Sequence, residues 1–336
     1  MRAVVLSESR PELELVELPD PEPGPGEVVV RVTGCGICGS DLHVASAVAP
    51  TGMVFGHEIA GVVDALGPGV AADEVPAVGT MVAVRPFAGC GTCPACRRGR
   101  ADHCDRFELL GMARPGGFAE LTTVRADELY AVPAAVTGVE AALVEPLAIA
   151  RRATNRAGLG PRDRVTILGG GPIGQAIAMW ARHLGVEQLV VTDPSPSRRD
   201  LALRLGASRA IDPLADELAM LELALGGSDV VFECVGRPSM IGQAMDLAAV
   251  DGRVIVVGVC IHDDTFFPYT ALNKELDVRF SIYYERSDFL DTISVLDRHG
   301  LQLDGFVEGT LGLDELPARF SALLAGADGG KLIVTP

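Results

Sequence analysis

The chain is 336 residues long, enough for about two domains of ordinary size, each with its own core. Hydrophobic residues make up 48% of it in short runs broken by glycine and proline, and no run of about 18 uncharged apolar residues argues for a membrane-spanning helix. The formal net charge of -17, spread without an acidic tail, disfavours nucleic acid and anionic membrane as partners, because both are bound through Lys and Arg.

The chain opens Met1-Arg2-Ala3-Val4-Val5, a strand pattern without the apolar core of a signal peptide, so a cytoplasmic location is expected. From about residue 28 to residue 124, apolar stretches such as 28–32 and 81–84 alternate with turn clusters such as Pro23-Gly24-Pro25-Gly26, which predicts a β-rich domain. Within it lies Cys35-Gly-Ile-Cys38-Gly-Ser40-Asp41-Leu-His43, followed at a distance by Gly56-His57-Glu58. Thiolate, imidazole and carboxylate together are the donors of a three-ligand zinc, whose fourth position stays open for water or substrate. Taken alone, Cys38 and His57 fit a metal pair and an ordinary core or surface pair equally well.

Farther on, Cys90, Cys93, Cys96 and Cys104 crowd into fifteen residues on a loop rich in glycine and arginine. In a reducing compartment this spacing points to a metal rather than to disulfides, and four thiolates around one zinc leave no open position, so such a site is structural. Arg97, Arg98, Arg100 and Arg106 are placed to offset its charge. The alternatives are an iron–sulfur cluster or a redox-active pair, although the proline-terminated ferredoxin pattern is missing. Cys35, Cys234 and Cys260 read as buried packing residues.

From residue 164 the texture changes to alternating strand and helix: 165–168, 173–184, 188–192 and 198–205, continued by apolar runs at 230–232, 254–257 and 278–282. A six-stranded, doubly wound parallel sheet is expected, making the chain α/β. Gly169, Gly171 and Gly174 form G-x-G-x-x-G between the first strand and the first helix, where backbone amides and the helix N-terminus attract a pyrophosphate. Asp193, nineteen residues past Gly174, is placed to accept from the adenosine ribose hydroxyls and to repel a 2′-phosphate, favouring NAD over NADP; Arg198 and Arg199 weaken that preference. The tail carries helical patterns at 289–296 and 316–324 and a closing strand at 331–334, and is expected to pack back onto the first domain.

These segments, with Gly116-Gly117-Phe118-Ala119-Glu120, Glu145-Pro146-Leu147 and Gly330-Lys331, together resemble the zinc-containing medium-chain alcohol and polyol dehydrogenase family, which includes sorbitol, butanediol and threonine dehydrogenases. The resemblance implies a GroES-like catalytic domain from 1–148 and 286–336, with a zinc lobe at 90–104, and a Rossmann domain over 149–285. It implies two zinc ions per chain and NAD, with NADP less favoured. Cys38 and His57 become ligands of a catalytic zinc, with Glu58 or Glu145 as the third. Asp41 orients His57, and Ser40 and His43 relay the proton. Pro172, Ile173, Arg198, Val257, Gly258 and Val259 resemble cofactor contacts.

The implied substrate is a small alcohol or carbonyl compound and the implied assembly a homodimer or homotetramer. The stretch Leu147-Ala-Ile-Ala-Arg151-Arg152 departs from relatives, and it and the short loop between His43 and His57 lie where selectivity is expected to be set; Phe280 and Tyr283 fit a place in the same cleft and a packed core role equally well. The rival readings are a zinc-free quinone or enoyl reductase, which has no use for Cys38, His57 or the four-cysteine lobe, and a non-catalytic NAD-binding protein of the same fold.

Overall fold

The computed structural model describes residues 1–9, 11–47, 49–327 and 330–336. It divides into two compact units: Met1–Glu145 with Glu285–Arg298 and Val307–Pro336, and Pro146–Tyr284 with His299–Phe306. Residues 299–306 thus group with the second unit, interrupting the return of the tail to the first.

The first unit is built on a seven-stranded sheet. Its path runs Val307–Leu311, Lys331–Val334, Glu27–Gly36, Glu58–Leu66, Met81–Val84 and Leu129–Ala131, with Leu121–Arg125 also paired to Glu27–Gly36. The central strand Glu27–Gly36 is buried along most of its length, which is why its sequence reads as valine after valine rather than as a strict alternation. Two chemistry-bearing segments meet at its end. Gly36 stands opposite Glu58 in one antiparallel pair, while Ile333 stands opposite Gly36 in another. The closing strand therefore brings Lys331 to the segment that follows Gly36. Behind the sheet, Phe320 on helix Leu316–Leu324 stacks on Phe55 with ring centroids 6.3 Å apart, and both rings are buried.

The second unit holds six parallel strands in the spatial order Arg209–Ile211, Leu189–Thr192, Val165–Leu168, Ser228–Glu233, Ala248–Val256 and Asp277–Phe280. By sequence this is 3-2-1-4-5-6, the doubly wound dinucleotide-binding order, with its switch point between the first and fourth strands. All four residues of Val165–Leu168 are buried, as a strand covered on both faces requires. Helix Pro172–His183 is buried from Gly174 to Ala181, and its Trp180 indole donates to the Leu147 carbonyl at 2.9 Å. Proline at the first turn starts this helix and Pro196–Arg204 slightly earlier than apolar periodicity suggests, since the absent N–H has no partner there anyway. Phe280 ends an edge strand and is 63% exposed, so it is no core residue of the unit.

Candidate metal and nucleotide sites

In the loop after Val84, Cys93 caps the short helix Pro94–Arg97, and the four sulfurs of Cys90, Cys93, Cys96 and Cys104 lie within 4.8 Å of one another. All eight cysteines are free thiols. Backbone N–H groups point at the sulfurs: Cys93 donates to Cys90 at 3.4 Å, Cys96 to Cys93 at 3.4 Å, and Cys90 and Arg106 both to Cys104 at 3.3 Å. Hydrogen bonds from the Thr92 hydroxyl and from the Thr92 and Cys93 amides lower the Cys90 thiol to about 5, whereas burial pushes Cys96 up to about 11. Thiols so close together resist ionising as a set unless a cation sits between them, and the amides already favour the anionic form. The donor set therefore fits a tetrahedral zinc of the structural kind. Arg100 is engaged elsewhere: its guanidinium grips the buried Asp102 at 2.7–3.1 Å, with His103 on the same carboxylate. Charge compensation by Arg100 is thus indirect.

The second group of metal-type donors comprises Cys38, His57 and Glu58, again within 4.8 Å of one another. Cys38 follows strand Glu27–Gly36 and precedes helix Gly39–Ala47, and Glu58 begins the neighbouring strand, so the sheet register alone juxtaposes them. Asp41, fully buried in the first turn of the helix, accepts the Cys38 N–H on one oxygen at 3.0 Å and stands 3.2 Å from His57 Nδ1 with the other. That second contact is an ion-pair approach off hydrogen-bond geometry. Burial opposes a charged His57, but Asp41 and Cys38 outweigh it and raise the imidazole pKa well above the ordinary value.

Lys331 completes this group, and its role was not visible in the sequence beyond the Gly-Lys dipeptide. Its ammonium donates to both Glu58 oxygens at 2.6 and 2.7 Å and to the Ile37 carbonyl at 3.0 Å, with both side chains almost fully buried. Burial works against the charge on Lys331, yet Glu58, Cys38 and Glu145 together hold its pKa up. Glu145 is buried near the start of helix Val144–Ala157; it lies outside the 4.8 Å group but close enough for its charge to act on Lys331. Glu58 and Glu145 thus act on a single ammonium, and the buried Asp41 stands against Cys38 and His57, an acidic excess that a divalent cation would balance. The donor set fits such an ion. Ser40 is half-buried and His43 exposed on the helix that carries Asp41.

In the second unit, Gly169 (φ 95) turns the chain out of the first strand and Gly171 caps helix Pro172–His183. A Cβ on Gly174 would stand 1.9 Å from the Gly169 carbonyl, so only glycine lets helix and turn close, while one on Gly171 would meet no protein atom within 4 Å. That open side is where a phosphate can approach the backbone. Asp193 is buried at the end of the second strand; it accepts the Gly170 N–H and the Ser195 N–H, each at 2.8 Å, with Arg198 3.7 Å away. Gln175 ties the Gly170 and Arg198 carbonyls together, a contact the sequence did not signal. Val257, Gly258 and Val259 follow the fifth strand, the last of them 56% exposed. Of the three cysteines expected to be buried, only Cys35 is; Cys234 and Cys260 are partly exposed, the latter on the loop after the fifth strand.

Residues 24–134 match the alcohol dehydrogenase GroES-like domain and residues 172–298 the zinc-binding dehydrogenase domain. A 2-dehydro-3-deoxy-L-galactonate 5-dehydrogenase from Pseudoalteromonas atlantica is 34% identical over 93% of this chain and 92% of its own length. Among solved structures, one described as a zinc-binding dehydrogenase from Sinorhizobium meliloti 1021 bound to NADP superposes with a TM-score of 0.92 at 31% identity, covering 100% of this chain and 99% of that one. An alcohol dehydrogenase from E. coli CFT073 complexed with NADH gives a TM-score of 0.93 at 28% identity over the same shares. Matches over both units make the chain a nicotinamide-linked, zinc-dependent oxidoreductase that interconverts an alcohol and its carbonyl compound. It belongs to the zinc-containing medium-chain alcohol and polyol dehydrogenase family.

Proposed function

We propose that the chain oxidises a secondary hydroxyl of a polyol, diol or sugar acid with NAD, using a catalytic zinc at Cys38, His57 and Glu58 and a structural zinc in the lobe at 90–104. The carrying observation is the convergence of those three donors with Asp41 behind both Cys38 and His57. A relative named for reduction or oxidation at carbon 5 of a sugar acid supports a polyhydroxy substrate.

Zinc at this site supplies Lewis acidity to the reacting oxygen, lowering the cost of removing the hydroxyl proton. The chain's own side chains do the rest. Asp41 fixes the imidazole and the backbone of Cys38, so the ligands are oriented before substrate arrives. Lys331 balances Glu58, and Glu145 stands close enough to act on the same ammonium. Ser40 takes the proton from the substrate hydroxyl as its own hydroxyl proton passes on toward His43, which is exposed on the same helix and delivers it to solvent; relays of this kind contribute about 10²–10⁴ in rate. The amides of the Gly169–Gly174 turn and the start of helix Pro172–His183 hold the pyrophosphate, with Pro172 and Ile173 in its first turn. Asp193 takes the adenosine ribose. Its buried carboxylate, anchored by two amides, leaves no room for the charge of a 2′-phosphate, which supports NAD even though one structural neighbour holds NADP.

A homo-oligomer in the cytoplasm, with a small-molecule substrate and neither nucleic acid nor membrane as partner, belongs to the same reading; no helix is long and apolar enough to cross a membrane among the described residues. The test is direct. Purified protein is assayed for zinc by metal analysis, then for nicotinamide reduction with NAD and with NADP over polyols, vicinal diols, sugar acids, amino alcohols and simple secondary alcohols. Two zinc per chain and NAD-linked turnover of a secondary hydroxyl are expected. Protein that binds no zinc, or reduces neither cofactor with any alcohol, overturns the reading.

A further inference from the structure

Glu233 closes the fourth strand of the second unit, on the side of the switch point away from Asp193. It is 1% exposed. One side-chain oxygen accepts the N–H groups of Val235 at 2.7 Å and Gly236 at 2.8 Å, while its main-chain carbonyl accepts those of Val257 at 2.8 Å and Gly258 at 2.9 Å. One residue therefore holds four amides from the loops that follow two adjacent strands. Burial pushes its carboxyl up despite those amides, with Asp264 adding to the effect.

The two loops interlock so closely that neither Gly236 nor Gly258 has room for a side chain. A Cβ on Gly258 would stand 2.3 Å from the Gly236 nitrogen and 2.7 Å from the second oxygen of Glu233, and one on Gly236 (φ +68) would stand 2.6 Å from the Val259 carbonyl. The first of these loops also abuts the phosphate turn: a Cβ on Gly169 would lie 3.0 Å from Val235 and 3.2 Å from the Cys234 backbone. Loops 169–171, 234–236 and 257–259 thus form one continuous rim at the carboxyl ends of the strands. A dinucleotide spread across the switch point has its adenosine on the Asp193 side and its other half over the fourth and fifth strands. On that side Val235 and Val259 are left partly exposed, an apolar footing suited to a flat ring.

We propose that Glu233 is a positioning residue for the nicotinamide half of the cofactor. It holds the rim formed by loops 234–236 and 257–259 at the height the ring needs, without touching the reacting carbon. The proposal rests on the cofactor reading given above. It predicts a selective defect. ADP-ribose carries the adenosine and pyrophosphate but no nicotinamide, so it reports on the Gly169–Asp193 half alone.

The experiment is calorimetric titration of the zinc-loaded wild type, Glu233→Ala and Glu233→Gln with NADH and with ADP-ribose, alongside thermal melting. Glu233→Ala is expected to weaken NADH about tenfold or more while changing ADP-ribose by no more than about twofold. Glu233→Gln keeps a carbonyl oxygen for the Val235 and Gly236 amides and is expected to recover most of the NADH affinity. If Glu233→Ala does not fold, Glu233→Met, which keeps the volume but offers no acceptor to the Val235 and Gly236 amides, is expected to show the same selective loss. Equal weakening of both ligands, or unchanged NADH binding in a folded variant, overturns the proposal. A wild type that binds neither ligand overturns the cofactor reading itself and the proposal with it.

Discussion

Lys331 meets both oxygens of Glu58 in a place that water does not reach, and this contact carries the most testable chemistry at the level of single residues. Removing one partner of a buried ion pair leaves the other as an uncompensated charge, which costs about 3–5 kcal/mol, whereas replacing both by apolar groups is often close to neutral. Lys331→Met is therefore expected to lower unfolding stability by about that amount in protein stripped of the catalytic zinc, where no other cation pairs with Glu58, measured by chemical denaturation, and Lys331→Met with Glu58→Leu to recover a large part of it. A double variant no more stable than the single one would show that the pair is not the source of the loss. This pairing is not legible in the sequence, because the partners are 273 residues apart and meet only through the strand pairing that closes the first sheet. The four-cysteine cluster was legible for the opposite reason. Its ligands are local, and spacing alone brings them within reach. Cys38, His57 and Asp41 lie between these cases: their types and order suggested a metal site, but only the register of Gly36 against Glu58 makes them neighbours.

At the scale of elements, the start of the first parallel strand is fixed to that of the fourth by one salt bridge. Asp229 accepts the Arg164 backbone N–H at 2.8 Å and two guanidinium nitrogens at 3.1 and 2.8 Å, and Arg164 also reaches the Gly226 carbonyl. Hydrogen bonding to Arg164 lowers the Asp229 pKa, the desolvation of a partly exposed site opposing it only in part. A depressed carboxylate pKa stabilises the fold above the unfolded value of about 3.9 and ceases to do so as pH falls through the folded value. Asp229→Asn is thus expected to cost about 1 kcal/mol near neutral pH, the low end for a charge-assisted pair because solvent screens it. The gap to the wild type, read from denaturation midpoints, should close as pH falls below the unfolded carboxylate value of about 3.9 and on through the lower folded one; a gap that persists in acid would mean that something other than ionisation is at work. The strands that this pair joins were plain in the sequence as runs of buried valine and isoleucine. Arg209–Ile211 was not: three residues, of which only Ile211 is buried, are too short and too polar to stand out from the turns on either side. Glu233 was hidden in another way, reading as the polar end of an apolar strand until its four amide contacts were in view.

Across the whole molecule, the charge of -17 resists unspecific association, yet the second unit leaves one sheet edge open. Among the described residues no strand pairs with the outer side of Asp277–Phe280, and Ile261, Phe267, Tyr269, Leu272 and Phe280 are all exposed in the stretch 261–280 that ends in this strand. An uncovered edge beside an apolar surface is an aggregation hazard that folded proteins cover or blunt. The two charged residues of this strand, Asp277 and Arg279, are paired to each other, so their charges do not repel a neighbouring strand as a run of lysines would. A second copy of the chain presents the same edge and is the simplest cover, because a two-fold axis matches each apolar residue to another of its kind. Like-charged copies attract more strongly as salt screens them. Light scattering after size exclusion is therefore expected to give a dimer or tetramer for the wild type, strengthened by salt, and a monomer with unchanged melting behaviour for Phe267→Asp with Phe280→Asp. A wild type that remains monomeric at tens of micromolar, or a double variant that assembles as before, would place the contact elsewhere or remove it.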